Sequence, residues 1–332
     1  MPSPDPRSGQ FPDPETVFVE ERRLAAEAQF PDALLIGEGH MALPEGGVVT
    51  STGSGSLFLR DVLHNKRAMT GTGIVLLLIL FCFVGPLIYH TNQTAVNLNL
   101  ANLPPGNGHP LGTDEYGIDI LGRLMVGGQS SLELGFAVAI SSTVIGALYG
   151  AISGMVGGIL DAVLMRFVDT LLAVPTFILL LIMASMFTLN LISIILLLSV
   201  LSWPYVSRLV RGQVLALRER EFVQASTAMG ATRTRILFRH MVPNTFNIFI
   251  VTATFAVADS IYALSALSFL GLGPPPPFAD WGTMLTNGIN DLFDSYPWEV
   301  YPPLIALVVT ILAFRYIGDA LNDISSSRST IR

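Results

Sequence analysis

Residues 170–207 read TLLAVPTFILLLIMASMFTLNLISIILLLSVLSWPYVS, 38 positions without a single Asp, Glu, Lys or Arg. As one helix this run would be about 57 Å long at 1.5 Å per residue, nearly twice the ~30 Å of hydrocarbon in a bilayer. It must therefore fold back on itself, as two membrane spans at 166–188 and 191–212 with a tight turn near Asn190. Pro175 and Pro204 sit where they kink these spans, which membrane helices tolerate when neighbours satisfy the freed backbone groups.

Further apolar segments lie on both sides. TGTGIVLLLILFCFVGPLIYH at 70–90 is long enough to cross, and 134–157 is a second candidate, rich in the Gly, Ala and Ser that close helix packing in lipid favours. Spans at 244–268 and 302–320 bring the expected total to six. Composition agrees: 51% of the 332 residues are hydrophobic, 13% are charged and mean hydropathy is +0.57, unlike an ordinary soluble chain. A single cysteine, Cys82, in an apolar run excludes a disulfide framework and a thiolate metal cluster.

The net charge of −7 is unevenly spread. Residues 1–56 hold nine acids against three arginines, and the rest of the chain is close to neutral. This tail is rich in Pro, Gly and Ser and is expected to be a solvated, disordered extension. It lacks the basic start and apolar core of a secretory signal, and its acidity disfavours anionic lipid. A second, shorter tail is expected at 326–332.

Basic residues orient the spans. With both termini in the cytoplasm, Arg60, Lys66, Arg67, Arg166, Arg208, Arg211, Arg218, Arg220, Arg233, Arg235, Arg239, Arg315, Arg328 and Arg332 fall on the inner side, and Arg123 alone falls outside. That asymmetry is the positive-inside pattern. The outer segments 91–129 and 269–299 carry acids instead, Glu133 is assigned to the outer side with them, and Trp281, Tyr296, Trp298 and Tyr301 gather where an outer aromatic belt is expected. Asp169 and Arg166, one turn apart, are expected to form a local pair.

Between the fourth and fifth spans, Glu221–Asn244 reads EFVQASTAMGATRTRILFRHMVPN. A small-residue helix should stop at Gly230, since glycine readily takes the left-handed conformation that ends helices. A second basic helix follows, with Ile236, Leu237 and Met241 on one face and Pro243 expected to close it. In isolation this is an amphipathic element that can lie idle on a membrane surface. The order Glu221-Phe-Val-Gln-Ala-Ser226, then Gly230, then Pro243-Asn244, resembles the cytoplasmic "EAA" loop of ABC importer permeases. HPLGTDEYGIDILGRL at 109–124 and SFLGLGPPPPFADWGTML at 268–285 are similar to the dipeptide/oligopeptide/nickel permease family, in its C-type (second) subunit. The resemblance covers roughly residues 57–325. The chain departs from it at Ile118 and Gln129, where that family usually has Arg, and at Gly122, where it usually has Ser.

The resemblance implies an all-α polytopic membrane protein of the type I ABC importer permease fold, with six transmembrane helices and a cytoplasmic coupling helix between the fourth and fifth. It implies that the loop 219–243 docks on a separate ATPase, and the residue types suit this. Ala225, Ser226 and Ala228 permit close approach, Met229 is an adaptable apolar knob, Gly230 allows the bend, Glu221 favours the helix dipole, and Arg233 and Arg235 can meet acids. Implied partners are a B-type permease, two ABC ATPases, an external substrate-binding protein, membrane lipid and a di- or oligopeptide; nickel or another small solute is the alternative within the family. Nucleic acid is not an expected partner. The resemblance places the chain in the inner membrane of a bacterial cell.

The chain has no G-x-x-x-x-G-K-[ST] phosphate cradle, its only lysine is Lys66, and it shows no nucleophile–base pair or helical zinc pair. It is expected to bind no cofactor and to perform no catalysis, ATP and Mg being held by the partner ATPases. The five histidines are scattered, and His109 is expected to be structural rather than a nickel ligand. Asp259 is the one carboxylate well inside a predicted span, where an acid is costly and faces a cavity, a partner or the outer mouth. It is a candidate for the translocation path, or for driving a proton-coupled secondary transporter. Asp280, as the N-cap of WGTMLTNGINDLF, and Trp281 belong with a candidate outer gate; that helix can equally lie on the bilayer surface.

Overall fold

The computed structural model describes residues 62, 64–91, 96–106, 108–187, 190–292 and 296–330. The acidic tail 1–56 lies outside these residues. Within 53–332, which forms one compact unit, the described elements are helices, with two isolated bridges in the loop after the first span.

Five segments are long and apolar enough to cross a membrane: α1 (Lys66–Ile88), α2 (Ile120–Val156), α5 (Leu191–Arg218), Thr245–Phe269 and Pro297–Ser325. The last two lie in α8 (Val242–Phe269) and α10 (Tyr301–Thr330). Two further helices lie between α2 and α5, and they make a sixth span only where the bent pair crosses as one. α3 (Gly158–Leu172) and α4 (Thr176–Met186) meet at 68° and are apolar enough only together. Where a third span was expected at 166–188, the chain is a bent pair of helices that begins earlier. Pro175 has no N–H to continue α3 and steers Val174 away from the helical region, while its carbonyl accepts from Ile178 and Leu179 to start α4. Asn190 caps α5, accepting from the Ser193 N–H at 2.8 Å, where the tight turn was expected.

α2 also starts earlier than the apolar run. Asp119 caps it, accepting from the Gly122 N–H at 2.8 Å, and the helix runs 37 residues, about 55 Å, to Gly157. Glu133 lies within α2 on an exposed face. α2 is the central helix: it packs along α5 and α8, α8 packs on α10, and α10 on α1. Gly146, Gly150 and Gly154 recur every fourth residue on the side of α2 that meets α5. A β-carbon at Gly146 would lie 2.6 Å from Val206, one at Gly150 would run into the Ser207 carbonyl, and one at Gly154 would lie 2.9 Å from Val214. This is the small-residue contact that lets helices approach closely in lipid.

Two π turns interrupt the helices, at Leu80–Val84 inside α1 and at Leu237–Met241 just before α8. Such turns displace carbonyls from the regular ladder. In the first, Gln129 of α2 reaches across to donate to the Cys82 carbonyl at 2.7 Å. Gln129 is one of the positions that departs from the resembled pattern, and here it joins two spans.

The loop between α1 and α2 is built by hydrogen bonds. Asp114 accepts from the Tyr116 and Ile118 N–H groups and from Arg123 at 2.9 Å. Burial pushes its carboxyl above the ordinary range in spite of these donors. Asp119 takes the Tyr89 hydroxyl and His109 Nδ1, each at 2.8 Å, beside its capping bond. Partial burial and that bond hold the Tyr89 hydroxyl up at about 12, so it remains a donor. His109 is thereby fastened to the residue that caps α2.

Candidate functional site

The bent element between α5 and α8 begins as α6 (Glu221–Ala228). Its end is set by backbone chemistry. Gly230 has φ +83°, its N–H donates to the Thr227 carbonyl at 3.0 Å, and the Ala231 N–H donates to Ser226 at 3.1 Å. These two bonds form a Schellman motif, which needs a left-handed residue and so favours glycine. A short α7 (Arg233–Ile236), the π turn Leu237–Met241 and α8 then follow without a stop. The expected closure at Pro243 is therefore corrected. Pro243 sits in the first turn of α8, directly after the π turn, whose displaced carbonyls accommodate its missing N–H.

One face of the element is fastened to the bundle. Val223, Ile236 and Met241 are buried against Ala151 and Met155 of α2 and Val206, Val210 and Val214 of α5. The other face is open. Glu221, Ala225, Ala228, Gly230 and Arg235 are exposed, Ser226 is half-buried, and Met229 at the tip is 81% exposed. Among the described residues, nothing lies within 4 Å of where a β-carbon on Gly230 would be. Of Arg233 only the backbone is described. The candidate residues thus come together as a small-residue tip with a protruding methionine, on a base of buried aliphatic side chains.

That base is braced by charge. Asp161 of α3 takes a two-pronged contact from Arg211 of α5, Nε and Nη2 each at 2.6 Å, and a hydrogen bond from Ser153 of α2. Arg218 donates to the Gly154 carbonyl at 2.9 Å. Asp169 pairs with Arg208 of α5 at 2.5 Å, not with Arg166 one turn away as expected. Antiparallel packing of α3 on α5 delivers a partner that local spacing does not show. The residue most missed in the sequence was Asp161, whose signal was a carboxylate one turn into a helix beside an arginine-rich α5.

Asp259 lies in α8, about 15 Å from the Phe269 end. It meets Arg315 of α10 at 2.7 Å. Arg315 was assigned to the inner segments; it is instead midway along a 30-residue helix, level with Asp259. Of the carboxylates the sequence singled out for a path or gate, Asp259 is the open one.

Asp280 and Trp281 are fully enclosed at the start of α9 (Trp281–Leu292). The Asp280 carboxylate caps α9, accepting from the Gly282 N–H at 2.8 Å and the Thr283 N–H at 3.2 Å, and also takes the Thr283 and Ser268 hydroxyls. Burial pushes its carboxyl above the ordinary range. Trp281 donates Nε1 to the Leu124 carbonyl at 3.0 Å and packs in the core of α2 and α8. Trp281 therefore does not join an aromatic belt, and α9 packs into the bundle through Met284 and Leu285 as well.

The fold and this site define an all-helical polytopic membrane component that carries a bent, outward-facing helical element between two of its spans. The chain belongs to the family of binding-protein-dependent transport system inner membrane components, whose profile matches residues 146–331. Residues 55–105 also match the N-terminal transmembrane domain of oligopeptide transport permease C. The chain is 39% identical over 259 residues to the oligopeptide transport system permease protein OppC of Bacillus subtilis (strain 168), covering 78% of this chain and 85% of the relative. It is 39% identical to a putative peptide permease protein of Brucella suis biovar 1, over 86% and 94% of the two chains. With the dipeptide transport system permease protein DppC of Bacillus subtilis (strain 168) it shares 36% identity, over 80% and 82%.

Proposed function

We propose that this chain is one permease half of an ATP-driven importer of di- or oligopeptides in a bacterial inner membrane, with both termini cytoplasmic. The relatives named as oligopeptide, dipeptide and peptide permeases support the substrate class. The observation that carries the coupling role is the contrast between the two faces of 221–241. Its buried face is locked to α2 and α5, and its small-residue tip is exposed. A push on Ala225–Gly230 would reach α8 through Ile236 and Met241, which are continuous with it. The ATPases would hold ATP and Mg, a B-type permease would complete the path, and an external binding protein would deliver peptide. Asp259 is assigned to the path. Asp280 and Trp281 act on an outer gate by seating α9.

The test is reconstitution in proteoliposomes. The chain alone should show neither ATP hydrolysis nor uptake, and both should appear when the sister permease, the ATPases and the binding protein are added. Uptake by the lone chain under a proton gradient would refute this reading in favour of a secondary transporter.

A further inference from the structure

Of the carboxylates described above, Asp161, Asp119 and Asp280 are saturated, whereas Asp169 makes a single bond to Arg208 at the border of the charge-free run 170–207. Asp161 takes three donors, Asp119 three and Asp280 four. Asp259 and Arg315 are as open as the Asp169–Arg208 pair but lie within the spans Thr245–Phe269 and Pro297–Ser325. They make one hydrogen bond, to each other, and the side chains remain 63% and 54% exposed. Asp259 Oδ2 and the other guanidinium N–H groups have no partner among the described residues. The pair also sits deep, about 15 Å and 21 Å from the Phe269 and Tyr301 ends of its helices. An under-bonded ion pair facing hydrocarbon at that depth is strongly disfavoured, whereas one facing water or a charged ligand is not.

We propose that Asp259 and Arg315 form a subsite in the path that takes the two charged ends of a zwitterionic peptide, Asp259 receiving the ammonium and Arg315 the carboxylate. The chemistry is complementary on both sides. Arg315 presents a planar fork suited to a carboxylate. Asp259 keeps a free oxygen for an ammonium, and the pair neutralises itself when no peptide is present. A path lined this way discriminates by the ends of the peptide and not by its side chains, as a carrier of varied peptides requires. This rests on the peptide-importer reading above.

The experiment uses the full complex with tri-alanine, N-acetyl-tri-alanine and tri-alanine amide, each supplied at a concentration that fills the binding protein. Asp259→Asn should slow tri-alanine uptake about ten-fold, the loss of one charged hydrogen bond, and leave N-acetyl-tri-alanine at its wild-type rate. Arg315→Gln should do the same with the amide as the insensitive peptide. Equal losses for every peptide would mark a structural pair, and unchanged uptake would place the pair off the path; either result overturns the proposal. If the wild-type complex moves none of the three, the importer reading fails instead. Labelling then decides whether this face is wet: Asp259→Cys, with Cys82→Ser, should react with a charged methanethiosulfonate reagent in the assembled complex. An unreactive thiol there rules the subsite out.

Discussion

Gly230 shows how much one residue carries. Its φ of +83° costs an ordinary side chain about 1–2 kcal/mol, yet among the described residues the space around it is open. A substitution there strains the bend without colliding with the bundle. Gly230→Asp, which also adds charge to the tip, should insert and assemble normally while uptake falls several-fold and ATP hydrolysis persists. Paired measurement of phosphate release and uptake checks this; a variant that still couples the two would remove the tip from the coupling role. At Asp259 the residue scale is less informative, because its meaning depends on a partner 56 positions away in the sequence.

At the scale of elements, the Gly146–Gly150–Gly154 stripe sets how closely α2 and α5 approach. Gly150→Val places side-chain atoms on the Ser207 backbone, so the two helices must separate. Overpacking of this kind costs about 1–3 kcal/mol, and the purified complex should melt several degrees lower. An unchanged melting temperature would show that the helices do not meet there. The same spacing was visible in the sequence as a Gly-, Ala- and Ser-rich span, but nothing in it said which helix lies opposite. The π turn at Leu237–Met241 was less legible still. A proline reads as a helix stop, and only the continuous path through Arg233–Phe269 shows that the chain absorbs it.

Across the whole molecule, Asp161 ties three helices together at the end that carries α6. Asp161→Asn removes the charge that holds Arg211 and weakens the Ser153 bond. Hydrogen bonds to charged groups are worth about 1.5–3 kcal/mol. The variant should lower thermal stability by about that much and, because α6 rests on this base, reduce ATP-driven uptake more than assembly. Size-exclusion yield beside uptake measures the two; equal retention of stability and uptake would show that the brace is dispensable.

What the sequence determined alone follows from one-dimensional properties. Run length against bilayer thickness demanded about six spans, and glycine at 230 demanded a helix end. Asp280 marked the start of α9 because capping is local. The three motifs pointed to the permease family that the comparisons show. Contacts between distant helices were decided only by the tertiary structure. It paired Arg315 with Asp259 and Asp169 with Arg208, put Trp281 in the core, and bent the chain between α3 and α4 at Pro175. The physical reason is that sequence spacing gives a side chain its height and its side of a helix. Which neighbour it meets depends on how the helices cross, and that is set by packing summed over the whole bundle.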